Sequence, residues 1–207
     1  NKMRSILTML GIIIGVAAVI ALVSIGNGVK QDIQNSISSL GSNLLMVMPG
    51  APRTPGVRPS PGSMKSLKVA DYEAIAKLDG VKAASPMTNG GYVVIYQNKN
   101  WTTSVSGVNA NYLDVNNWTM KSGRFLSEKN VQNRERVAVV GKTVVKNLFG
   151  DEDPVGKEIR VKNIPFRIIG VLNSKGSGAM GNDQDDMVII PYTTAMERVD
   201  GIDYLRM

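Results

Sequence analysis

The chain has 207 residues, a formal net charge of +7, no cysteine and no histidine. Without cysteine no disulfide framework can hold it. Without histidine it lacks the usual general base, the commonest zinc ligand and the side chain that titrates near neutrality.

Residues 5–25 are a run of 21 residues without a charge. As a helix this run spans about 32 Å, enough for a hydrocarbon core of about 30 Å. Lys2 and Arg4 precede it and the next charge is Lys30, so the positive-inside rule places the N-terminal end in the cytoplasm and the bulk of the chain outside. A cleaved signal peptide is the alternative, with Ser24-Ile25-Gly26 as its small-x-small site. The apolar core exceeds the length usual for such leaders, and the helical pattern continues past it, so the helix is read as retained. Ile25, Val29, Ile33, Ile37 and Leu40 recur every three or four residues in a polar background, the mark of an amphipathic stalk. Within the span Gly11 and Gly15 form a G-x-x-x-G with Ala18 one turn on. That spacing lets helices approach closely in lipid, either within the same protein or across a dimer.

No second apolar stretch of membrane length follows. Residues 44–48 (LLMVM) read as a short buried strand closed by Pro49-Gly50. Residues 50–63 hold four prolines among Arg and Gly, a composition that fits an exposed basic loop and no helix or ladder. Residues 69–78 have helical periodicity stopped at Asp79-Gly80. Strands are expected at 92–96 and 101–108 as a hairpin, then at 137–140, 158–162, 166–172 and 187–190, with a turn at 163–165. Helices are expected over 142–149, stopped by Gly150, and from 193 or 194 to 199. Helices and strands do not alternate regularly, so the class is α+β.

Three patterns invite a chemical reading. Gly141-Lys142-Thr143 resembles the end of a phosphate-binding loop, but Arg136 occupies the place of the first glycine, and a strand runs where the cradle should curl. Asp183, Asp185 and Asp186 make a tight acidic cluster, yet the sixth and twelfth places of a calcium loop fall on Val188 and Thr194; the cluster reads as a solvated turn. Ser and Thr have no histidine to activate them. No catalytic residue, metal site or cofactor site is assigned. The basic residues are not interleaved with aromatics in a stripe, and the exterior placement disfavours DNA or RNA as a partner.

The stretch from Lys2 to Val16 (KMRSILTMLGIIIGV) closely resembles the first transmembrane segment of the macrolide-exporter type of ABC transporter permease. Ser122-Gly123-Arg124-Phe125, residues 137–141 (VAVVG), 153–157 (DPVGK), 168–172 (IIGVL) and 188–192 (VIIPY) resemble its periplasmic core domain, in order. The resemblance implies one N-terminal transmembrane helix (1–26) continuing into an amphipathic stalk (27–43). A porter-like half-subdomain (44–89), an inserted small mixed α/β subdomain of the sabre type (90–203) and the start of a returning strand (204–207) follow. It further implies that the chain stops before the second porter half and the later membrane helices, as Asn1 in place of an initiator Met would fit. ATP and Mg would be handled by a nucleotide-binding domain, fused or separate. Implied partners are that ATP-binding subunit or domain, a second permease protomer in a homodimer, a membrane-fusion adaptor and the lipid bilayer of a bacterial inner or plasma membrane. The function implied is mechanical, with Gly11, Gly15 and Ala18 packing the helix and Ile25, Val29, Ile33, Ile37 and Leu40 coupling it. The rival readings are a non-transporting permease-like module that regulates a cell-wall hydrolase or senses peptides, and, within the transporter class, a lipoprotein-releasing permease.

Overall fold

The computed structural model describes residues 2–40, 43–50, 65–178 and 181–207, without the side chains of 2–5, 8, 32 and 34–40 in the first helix. That helix, α1 (Lys2–Leu40), is unbroken over 39 residues. It contains no proline, and its length is about 58 Å at ~1.5 Å per residue. Among the described residues one stretch, Met9–Gln31, is long and apolar enough to cross a membrane. The chain divides into two units, Asn1–Ser42 and Asn43–Met207. The proline-rich stretch expected as a loop lies outside the described residues from 51 to 64.

The second unit opens with a correction. Residues 44–48 are neither a strand nor buried: Leu45 is 89% exposed and Met46, Val47 and Met48 are exposed too. A strand exists only against a ladder partner, and these residues join no sheet among the described residues. Next comes α2 (Val69–Ile75), where the Asp71 carboxylate accepts a hydrogen bond from Lys68 N at 2.7 Å. The hairpin β1 (Thr88–Tyr96) and β2 (Lys99–Val108) follows, then α3 (Tyr112–Val115), β3 (Met120–Gly123) and α4 (Glu128–Gln132). After them come β4 (Val137–Val140), α5 (Lys142–Leu148), β5 (Glu158–Val161), β6 (Ile164–Leu172), β7 (Met187–Pro191) and α6 (Tyr192–Thr194).

All seven strands belong to one sheet in the order β3-β6-β4-β7-β2-β1-β5, and β5 also bonds to β6. The sheet therefore closes on itself, with β2–β7 and β4–β6 as its parallel pairs. Six strands send apolar side chains to one cluster that includes Val94, Val105, Val140, Ile159, Phe166 and Ile190. Val144 and Leu148 of α5 join that cluster. The other face of the central strands, Val137 and Val139 of β4, Ile169 and Leu172 of β6 on either side of a register shift, and Ile189 of β7, feeds a second cluster with Trp118 and Leu126. Strands buried on both faces read as continuous apolar runs, which is why VAVV is legible as a strand.

One turn and one helix depart from the sequence expectation. The β5–β6 turn is Lys162-Asn163, with φ of +51° and +66°, the positive pair that a two-residue type I′ hairpin requires. Pro165 is therefore inside β6, opposite Arg160. The parallel pairing of β6 to β4 begins only at Arg167, so the missing N–H of Pro165 costs no bond there. The last helix is also not regular: α6 passes into a π-helical stretch, Ala195–Asp200, capped by Gly201 at φ +65°. Side chains brace this wide turn. Tyr92 OH donates to the Asp200 carboxylate, and Lys162 Nζ donates to the Val199 carbonyl at 2.9 Å.

Burial first and the Asp200 bond second push the Tyr92 hydroxyl up to about 12, and burial raises Tyr112 and Tyr192 as well. A raised phenol contributes stability that is fully present below the ordinary value near 10 and is lost as pH rises through the folded value. Urea unfolding followed between pH 9 and 12 should show stability falling above pH 10. Tyr92→Phe should flatten that slope, and an identical slope in both proteins would remove the assignment.

Candidate functional site

Helix α1 places all the sequence-selected positions on one side. At about 100° per residue, Gly11, Gly15, Ala18, Ile25, Val29 and Ile33 fall within a sector of roughly 80°. The small face of the span and the apolar stripe of the stalk are thus one continuous line. Leu22, outside the positions selected from the sequence, lies in the same sector and is 74% exposed. Its signal was present: it sits four residues after Ala18 and three before Ile25. Ile25, Val29 and Ile33 are 66%, 53% and 54% exposed. A Cβ built on Gly11 or Gly15 would meet nothing within 4 Å, so neither glycine is needed for a close approach within the described residues. The side chains of Ile37 and Leu40 lie outside the described residues.

The chemically suggestive patterns of the second unit meet in one place, with a structural role. Asp185 is 4% exposed, and its carboxylate accepts from Lys175 N at 2.7 Å, from Gly176 N at 3.2 Å and from the Ser174 hydroxyl. Asp183 accepts from Asp185 N at 2.9 Å and from the Thr143 hydroxyl at 2.6 Å. Asp186 accepts from Trp101 Nε1 at 2.8 Å. The expectation of a solvated turn is corrected for Asp185: burial is affordable because three donors satisfy its charge. The Lys175 side chain donates Nζ to the Asn116 carbonyl at 2.6 Å and lies 4.7 Å from the centre of the Trp118 ring. Burial lowers its ammonium from the ordinary value.

The Gly141-Lys142-Thr143 motif is the other half of this anchor. Gly141 N donates to the Met187 carbonyl at 2.9 Å and Thr143 N to the Asp185 carbonyl at 3.3 Å. A Cβ on Gly141 would run into that Asp185 carbonyl, so the glycine serves backbone packing between β4 and the aspartate loop. Among the described residues no group of three or more His, Cys, Asp or Glu side chains could hold a metal ion. Gly141→Ala should therefore destabilise by about 1–3 kcal/mol through overpacking, read as a drop in the urea midpoint, whereas Lys142→Ala, an exposed side chain, should leave the midpoint unchanged. The opposite ranking would reinstate a ligand role for the lysine.

Residues 5–205 match the model of the family described as MacB-like periplasmic core domain. The chain is 46% identical over 207 residues to the macrolide export ATP-binding/permease protein MacB of Rhodospirillum rubrum, covering 99% of this chain and 31% of that protein. The protein of the same name from Bdellovibrio bacteriovorus is 43% identical over 206 residues, covering 99% and 32%. The chain thus spans about a third of the length of these curated relatives. Among solved structures, the periplasmic region of MacB from Actinobacillus actinomycetemcomitans superposes with a TM-score of 0.61 at 26% identity, over 70% of this chain and 66% of that one. The extracellular domain of the noncanonic ABC-type transporter YknZ from Gram-positive bacteria gives 0.59 at 20% identity, over 68% and 70%, and so shares the fold.

Proposed function

The chain belongs to the MacB-like periplasmic core domain family, and on that premise we propose that it is the membrane-crossing and extracytoplasmic part of an ABC exporter permease that works by transmitting motion. The observation that carries this reading is the single line of small and apolar residues along an unbroken α1, from Gly11 to Ile33. Past the membrane span, exposed apolar side chains at Val29 and Ile33 in an otherwise polar helix require a cover, and an unbroken helix moves its two ends together. Helix α1 crosses the inner or plasma membrane with Lys2 and Arg4 on the cytoplasmic side.

In this reading ATP is bound and hydrolysed by a nucleotide-binding domain outside these 207 residues, fused or separate. Its closure moves α1, the stalk (27–43) meets that of a second protomer, and the exterior part opens and closes around the substrate together with an adaptor protein. Residues 44–89 form the first half of a porter-like part, 90–203 the inserted subdomain and 204–207 the return. Backbone bonds are consistent with that return: Leu205 N donates to the Leu67 carbonyl at 2.7 Å, and Met207 and Met87 exchange bonds at 2.7 and 3.1 Å. The exposed residues 44–48 would gain strand partners from the rest of a porter-like part, which supports the division.

In the full-length protein, Val29→Glu with Ile33→Glu should lower ATP-driven export by roughly ten-fold while ATP binding persists. Gly11→Leu with Gly15→Leu should reduce assembly in mild detergent. Export and assembly at the unsubstituted level would refute the coupling and packing roles respectively.

A further inference from the structure

Residues 65–87 and 203–207 are bound to each other by backbone pairs and by the Lys68–Asp203 ion pair at 2.6 Å. The chain passes between this group and the closed sheet twice, at Met87–Thr88 and after Ile202, whose N–H still bonds to the Met196 carbonyl at 2.9 Å. Two single-chain passages are the ingredients of a hinge. Apolar packing of Met87 on the second cluster and the edge-on contact of Tyr72 with Tyr192, centroids 6.3 Å apart, span the gap. Such contacts are non-directional or weakly so and tolerate sliding.

One group there is directional. Asn109, 1% exposed and immediately after β2, donates Nδ2 to the Tyr72 hydroxyl at 3.0 Å and to the Ala84 carbonyl at 3.1 Å. Its Oδ1 accepts from Asn111 N at 3.2 Å, which fixes the orientation of the amide, since only the nitrogen can serve the Ala84 carbonyl. Both amide hydrogens are thus committed across the gap, one to helix α2 and one to the backbone of residues 81–87. A buried amide that loses such partners leaves several polar atoms unsatisfied at once, so the arrangement holds as a unit.

We infer that Asn109 is a clasp: it fixes α2 and residues 81–87 to the end of the closed sheet, so the two chain passages do not flex and the parts move as one body. This rests on the mechanical reading above, in which a body that transmits motion must be stiff at its narrowest links. Asn109 is a positioning residue whose partners are Tyr72 and Ala84.

Amide hydrogen exchange of the full-length protein in detergent micelles tests it, and reads the clasp whether or not the protein exports anything. Asn109→Leu, close in volume but unable to bond, should speed exchange in residues 69–75 and 81–87 by about ten-fold or more, with β4, β6 and β7 unchanged. Tyr72→Phe keeps the ring and removes one partner. It should speed exchange in 69–75 alone by a smaller factor and add nothing in the Asn109→Leu background. Unchanged exchange at 69–75 and 81–87, equal acceleration in β4, β6 and β7, or fully additive effects of the two substitutions would each overturn the clasp.

Discussion

The double bonding of β5 is the constraint on which the second unit depends. Of its four residues, Glu158–Val161, all pair with β6 on one side and Arg160 and Val161 pair with β1 on the other. That closure converts an open sheet into a ring and commits Ile159 and Val161 to the main apolar cluster. It also dictates the work of β6, whose nine residues serve β5 with their first part and β3 and β4 with their last. Closure shortens the ladder edge but does not abolish it: β5 covers only Val94 and Ile95 of β1, so among the described residues the outer side of 88–93 has no strand partner, and β3, four residues long, hangs from β6.

Much of this was legible because the central strands are buried on both faces. Val137 to Val140 and Ile168 to Leu172 announce themselves as uninterrupted apolar runs. Three features were not. The LLMVM run has a strand composition, but composition does not supply a neighbour, and the segment stays unpaired. The β5–β6 turn was misplaced because Pro165 looks like a turn residue, whereas the backbone puts positive φ on Lys162 and Asn163. Helix α4 is hard to see in the sequence because its capping box uses Asn130 where a glutamate or glutamine is usual. The helix face was the more readable part of the candidate site, since periodicity alone defines it; Asp185 was the less readable part. Its burial depends on donors that only the fold brings together.

The fate of the chemically suggestive motifs follows from one physical fact. A glycine beside a strand end and a set of carboxylates can make a ligand site only if their donors and acceptors remain uncommitted. Here the Gly141–Thr143 segment bonds to the Met187 and Asp185 carbonyls and to Asp183, while each of the three aspartates accepts from a named donor. The same residues that resemble chemistry in one dimension are the fasteners of a loop in three. What then distinguishes the chain is arrangement: a rod that is apolar all round over its span and keeps an apolar sector at Ile25, Val29 and Ile33 beyond it, and a closed sheet with a polar pin beside its chain passages.

The apolar line has a pitch, and the pitch has a mechanical consequence. From Gly11 through Gly15, Ala18, Leu22, Ile25, Val29, Ile33 and Ile37 to Leu40 the positions advance 29 residues in eight turns, about 3.6 residues per turn, the natural repeat of a straight α-helix. A strict heptad, at 3.5, would force a left-handed supercoil on paired helices; a repeat near 3.6 leaves them with little winding in either sense. Two such rods in contact would hold no stored twist to absorb an applied torque. A rotation imposed at one end would arrive at the other with little angular loss.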